Sequence, residues 1–167
     1  MKKIILTLTT LFLTTLCFAQ QNIVKVGFAG NTGIQFERSF FKQFSVAGQV
    51  GYSRIQATIN DERNNSSGFG YAFEARYYFS STKETMEGWY IGPYYFKNFL
   101  EDERGNEGDF SSVGGKVGYQ WIFNSNITAE VAGGLGTMDV GGKITEIYLL
   151  GILRFYPYVG FSLGYNF

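Results

Sequence analysis

From residue 22 onward the chain is built of short segments in which bulky apolar residues alternate with small or polar ones. In residues 68–79, Phe69, Tyr71, Phe73, Ala75, Tyr77 and Phe79 fall on one side, while Gly70, Ala72, Glu74, Arg76 and Tyr78 fall on the other. A period of two marks a strand whose faces meet different surroundings. Val113, Val117, Tyr119, Trp121 and Phe123 divide in the same way from Ser112, Gly114, Lys116, Gly118 and Gln120, and Ile127, Ala129, Val131 and Leu135 oppose Thr128, Glu130 and Ala132. The last segment sets Val159, Phe161, Leu163, Tyr165 and Phe167 against Tyr158, Gly160, Ser162, Gly164 and Asn166.

Strands are predicted at residues 22–30, 33–41, 44–59, 68–79, 88–98, 109–123 and 126–136, with a last one that ends at Phe167. The polar stretches "NDERNNSS" (60–67) and "EDERGNEG" (101–108) read as long loops, whereas Lys42-Gln43 and Asn124-Ser125 read as tight turns. Connections that alternate in kind between an even number of antiparallel strands describe an up-and-down barrel. The fold expected is all-β: an eight-stranded antiparallel transmembrane β-barrel. Residues 143–156 ("KITEIYLLGILRFY") lack clean alternation and are read as part of the final outer loop, as a helical turn or a protruding strand.

The aromatic content, 19 % of the sequence with 22 Gly and 2 Pro, decides which face meets what. An eight-stranded barrel has an interior only just wide enough for side chains. Rows of Phe, Tyr and Trp would overfill it, so the small and polar face points inward and the aromatic face meets lipid. Closure leaves no unpaired backbone in hydrocarbon. Trp89, Trp121, Phe123, Tyr165 and Phe167 are expected in an interfacial aromatic belt.

This register turns Lys25, Glu37, Glu74, Arg76, Lys116 and Glu130 into the lumen. Buried charges persist when paired and hydrogen-bonded. An equal number of basic and acidic groups therefore predicts a closed salt-bridge network that plugs and orders the barrel, with a proton or ion path as the competing reading.

The N-terminus carries Met1-Lys2-Lys3, an apolar Thr-rich stretch and Cys17-Phe18-Ala19, the layout of a secretory signal peptide. At about 13 residues the apolar stretch is shorter than the roughly 20 that cross a bilayer as a helix. Residues 1–19 are read as a cleaved leader and 20–167 as the barrel domain; lipidation at Cys17 is disfavoured because Leu16 precedes it where a small residue is wanted. Cys17 is the only cysteine, so the exported chain has no thiol for a disulfide or metal. Loss of Lys2 and Lys3 leaves 12 basic residues against the 14 acidic ones, which gives nucleic acid no electrostatic reason to bind.

The terminal alternation ending in Phe161, Leu163, Tyr165 and Phe167 resembles the assembly signal of bacterial outer-membrane barrels, which the barrel assembly machinery reads. More narrowly, "GIQFERSF" (33–40), "FEARYYF" (73–79), "GWYIGPYY" (88–95) and "GGKVGYQW" (114–121) resemble a Bacteroidota-type family of small outer-membrane barrels with a domain of unknown function. The resemblance implies the outer membrane of a Gram-negative bacterium, with its lipid and the assembly machinery as partners and a monomeric state.

Chemistry is thinly represented. The sequence contains no His, so no side chain titrates near neutrality without a large shift. No enzyme activity, cofactor or metal is expected. Glu101, Asp102, Glu103, Glu107 and Asp109 cluster as a calcium loop might, but match no ligand spacing and read as a solvated acidic loop. Gly133-Gly134-Leu135-Gly136 lacks the context of a nucleotide loop, and the Asn65 and Asn126 glycosylation patterns are treated as coincidence. Two functions remain: a closed structural or interaction barrel that displays residues 60–67, 99–108 and 137–155 for surface binding, with any extracellular ligand unidentified, or for envelope integrity; or a narrow transport barrel for ions or a small hydrophobic molecule.

Overall fold

The computed structural model describes residues 21–167 apart from 29, 60–61, 80–83 and 143–154, and omits the side chains of residues 57–59, 62–64, 142 and 156. The expected leader and most of the 143–156 segment therefore lie outside the described residues. The strands are β1 (Asn22–Phe28), β2 (Thr32–Phe41), β3 (Phe44–Ile59), β4 (Glu62–Tyr78), β5 (Gly88–Asp102), β6 (Glu107–Ile122), β7 (Ile127–Gly142) and β8 (Tyr156–Asn166). Each pairs antiparallel with its sequence neighbours, and β8 returns to β1 to give a closed eight-stranded barrel. The seam is held to its end: the Asn22 N–H donates to the Phe167 carbonyl at 3.1 Å and the Phe167 N–H to the Asn22 carbonyl at 2.8 Å.

The faces divide as alternation predicts. Phe69, Phe73, Val113, Val117, Val131, Leu135 and Leu163 are exposed on the outside, whereas Gln35, Glu74, Arg76, Lys116, Gln120 and Glu130 are buried inside. The expected belt is exposed at the end that carries Asn22 and Phe167, where Trp89, Trp121, Phe123, Tyr165 and Phe167 are joined by Phe40, Phe41, Phe44 and Phe79. Toward the loop end a second group forms, with Tyr52 edge-on to Phe69 at 5.4 Å and Tyr71 against Phe99 at 6.3 Å. Two aromatic girdles around an apolar band are what a barrel wall in lipid requires.

The polar outer segments depart from expectation. Residues 62–67 are strand: Arg54 pairs with Ser67 and Ile59 with Glu62, so only residues 60 and 61 separate β3 from β4. Likewise β5 runs to Asp102, β6 begins at Glu107, and β7 continues through residues 137–142 to Gly142. The ladder is satisfied by backbone groups, so a strand that rises beyond the apolar band of the wall needs no apolar face and shows no hydrophobic alternation. The β4–β5 ladder passes from Glu74↔Tyr94 to Tyr77↔Ile91. Pro93 lies within that gap, where proline offers no N–H.

Candidate functional site

The six lumen charges come from five strands: Lys25 from β1, Glu37 from β2, Glu74 and Arg76 from β4, Lys116 from β6 and Glu130 from β7. All are buried, Lys25 and Glu37 completely, and they form one connected cluster. Lys25 Nζ donates to Glu37 Oε2 at 2.6 Å, Glu130 Oε2 at 2.5 Å and Gln120 Oε1 at 2.5 Å. Arg76 Nη1 reaches Glu37 Oε2 at 2.9 Å and Glu130 Oε2 at 3.0 Å, and its Nη2 reaches Glu130 Oε1 at 3.0 Å. Arg76 also forks onto Glu74 Oε2 through Nη2 and through Nε, the latter at 2.9 Å. Lys116 Nζ lies 2.6 Å from Glu74 Oε2 and 3.8 Å from Glu130 Oε1.

Hydroxyls complete the carboxylates. Tyr78 and Ser45 donate to Glu37 Oε1 at 2.8 and 2.5 Å, Tyr90 to Glu130 Oε1 at 2.5 Å and Tyr158 to Glu74 Oε1 at 3.4 Å. Both oxygens of each of these three carboxylates are thus engaged. Tyr90 also places its ring 4.6 Å from the Arg76 guanidinium and 5.4 Å from Lys116 Nζ. Three cations against three anions, each with its hydrogen-bonding capacity in use, form a cross-brace.

Packing closes the lumen on either side of this cluster. At the end carrying Asn22 and Phe167, the segment after β4 folds Met86 inward with a positive φ of 62°. Its carbonyl accepts Gln120 Nε2 at 2.7 Å, and its side chain is buried in one apolar cluster with Ile23 and Tyr78. On the loop side, amides make a second layer: Gln49 Nε2 donates to Asn31 Oδ1 at 2.7 Å, Asn31 Nδ2 to Asn98 Oδ1 at 3.1 Å and Ser53 Oγ to Asn98 Oδ1 at 2.9 Å. Tyr94 and Phe96 stack at 6.1 Å between the charged and amide layers. In the loop half the same apolar cluster takes in Leu100 and Phe110, with the partly buried Ile55, Met138 and Val140 packed against it.

The structure brings together all six charges singled out from the sequence. It adds Tyr90, Tyr94, Phe96, Gln49, Asn31, Asn98 and Met86, which the sequence reading did not assign. In β5 aromatic residues occupy both faces, so alternation carries no contrast there; glycines opposite large rings were the available signal. A Cβ on Gly118 would strike the Tyr90 ring that pairs with it, and one on Gly136 would meet Tyr94. Phe161, Leu163 and Tyr165 on β8, with Phe167 directly after it, form an exposed outer row and are not part of the site. In the acidic loop, Asp102 Oδ1 accepts the N–H groups of Arg104 and Asn106, both at 2.8 Å, and Oδ2 accepts Asn106 Nδ2 at 2.8 Å. Those bonds, the Asn106 side chain first, hold the Asp102 carboxyl below its usual range and commit it to the turn.

The crystal structure of Acinetobacter baumannii CarO is similar in fold, with a TM-score of 0.53 at 10 % identity, covering 88 % of this chain and 97 % of that one. At that identity the likeness speaks for the closed barrel architecture alone. No curated protein matches the sequence. The family model described as a protein of unknown function (DUF3575) matches residues 4–143, and the chain therefore belongs to the DUF3575 family.

Proposed function

We propose that this chain is a closed outer-membrane barrel with a structural or surface-interaction role and no catalytic activity. The observation that carries the reading is an apolar, doubly girdled wall around a lumen crossed by the six-charge brace. The wall accounts for residence in lipid. The brace makes the barrel a rigid support for its loop end rather than a conduit. Lipid and the barrel assembly machinery are its expected partners, the latter engaging the outer row Phe161, Leu163, Tyr165 and Phe167. A monomer satisfies the closed wall.

Transport of a small hydrophobic molecule is the second reading, favoured by the apolar loop half of the lumen and opposed by the amide and charged layers beneath it. The primary reading is tested by fractionating cells that express the tagged full chain. Recovery with the outer membrane, together with faster migration of unheated than of heated protein on a gel, is expected. Recovery in the soluble fraction without detergent contradicts the reading.

A further inference from the structure

The barrel rim is uneven. The β1–β2 ladder ends at Phe28↔Thr32. Thr32 pairs with Tyr52, and β3 then continues to Ile59, while β8 continues past Phe161, the partner of Phe28, to Tyr156. At about 3.3 Å per residue, β3 rises roughly 20 Å beyond the short hairpin. Among the described residues, Phe28 and Thr32 thus mark the floor of a notch between two taller stretches of wall.

A cavity of 590 Å³ passes over that floor. Its outer lining, Phe28, Thr32 and Tyr52, belongs to the outward face, with Phe28 stacked on the exposed Phe161 at 6.1 Å. Its inner lining, Ile55, Phe110 and Met138, belongs to the lumen cluster. One apolar surface therefore runs from the lipid-facing wall into the barrel, and the amides of Asn31 and Asn98 bound it below. The volume is that of an ordinary small-ligand site.

At the mouth, Arg54 is exposed and lines both this cavity and an adjoining cleft of 460 Å³ that also includes the exposed Glu101. Arg54 and Glu101 flank Ser67 in one row, each paired to it across a ladder, while the other carboxylates of that cleft, Asp102 and Glu103, accept hydrogen bonds from Asn106 and Asn65. A cation and a carboxylate separated by one strand match a head group that carries a phosphate and, a few bonds away, an amine.

We propose that this notch is a binding site for a single-chain zwitterionic phospholipid. The acyl chain enters laterally from the membrane to lie against Ile55, Phe110 and Met138, and the phosphate meets Arg54. The inference rests on the outer-membrane reading and goes beyond it by assigning a ligand class to the loop end.

The test uses the full chain refolded into phosphatidylcholine nanodiscs, with lysophosphatidylethanolamine bearing a diazirine near the chain terminus and adducts located by mass spectrometry. Adducts on Ile55, Phe110 or Met138 are expected, and Met138→Trp should remove them while adducts on the outer wall persist. Arg54→Gln should weaken competition by unlabelled lysophosphatidylethanolamine about tenfold and leave competition by hexadecanol unchanged. Labelling confined to outward residues such as Phe28 and Tyr52, or interior labelling that survives Met138→Trp, overturns the site. Indifference to Arg54→Gln overturns the head-group assignment. Ile55→Trp replaces Met138→Trp should the latter lose heat-modifiable migration. A wild-type chain that lacks that migration contradicts the outer-membrane reading, whereas a folded, embedded barrel without interior adducts contradicts this inference alone.

Discussion

Arg76 and Glu130, 54 residues apart, face each other across the lumen from β4 and β7 and share two parallel hydrogen bonds of 3.0 Å. These strands are not neighbours in the barrel, so the pair spans the interior where ladder bonds cannot. The same guanidinium also holds Glu37 and Glu74. Arg76→Met should therefore leave three buried carboxylates short of a partner and destabilise the barrel by about 3–5 kcal/mol, measured by urea unfolding in lipid vesicles. A loss below about 1 kcal/mol, the range of an exposed ion pair, would show that the cluster does not brace the wall.

The lipid-facing assignment makes a second prediction. Val117 and Val131 are about half-exposed on the outer face between the girdles. Val117→Arg or Val131→Arg should destabilise the bilayer-inserted barrel by about 2–4 kcal/mol, read from the same unfolding curves. Indifference to both changes would remove lipid from that face.

Large rings inside so narrow a barrel depend on the absence of a side chain opposite them. Gly118→Ala would drive a methyl into the Tyr90 ring, whereas a Cβ on Gly115, three residues earlier and on the outside, meets nothing within 4 Å. Overpacking at the first site should destabilise by about 1–3 kcal/mol, and Gly115→Ala should be close to neutral. Equal effects would mean that Tyr90 does not occupy the space beside Gly118.

Asp102 supplies a pH dependence confined to one turn. Its folded pKa is depressed by the bonds to Asn106 and Arg104, so its contribution is present above the unfolded pKa and lost as pH falls through the folded one. Amide exchange at Asn106 should be slow near neutrality and accelerate, after correction for intrinsic rates, once the carboxyl protonates below its ordinary range. Asp102→Asn should abolish that step. A pH-independent amide would show that the carboxylate does not hold the turn.

The barrel and its charged centre were legible because an apolar outer wall and a narrow polar lumen impose opposite demands on successive residues. Glu74 and Arg76 stand out between Phe73, Ala75 and Tyr77 for that reason. In β5 the inward Tyr90, Tyr94 and Phe96 alternate with the outward Trp89, Ile91 and Tyr95, and both faces look apolar. There the decisive fact is which glycine lies across the ladder, which depends on pairing between strands. The strand pairing of residues 62–67 was hidden for a different reason: beyond the apolar band of the wall, backbone hydrogen bonds hold a strand whatever its side chains, and "ERNNSS" reads as loop.

The most direct test of a braced, closed lumen is single-channel recording from the full chain refolded into planar bilayers, after heat-modifiable migration has verified folding. The account predicts electrical silence from the wild-type barrel. Steady conductance from verified wild-type barrels would mean that ions pass the cluster around Arg76 and Glu130, and would contradict it.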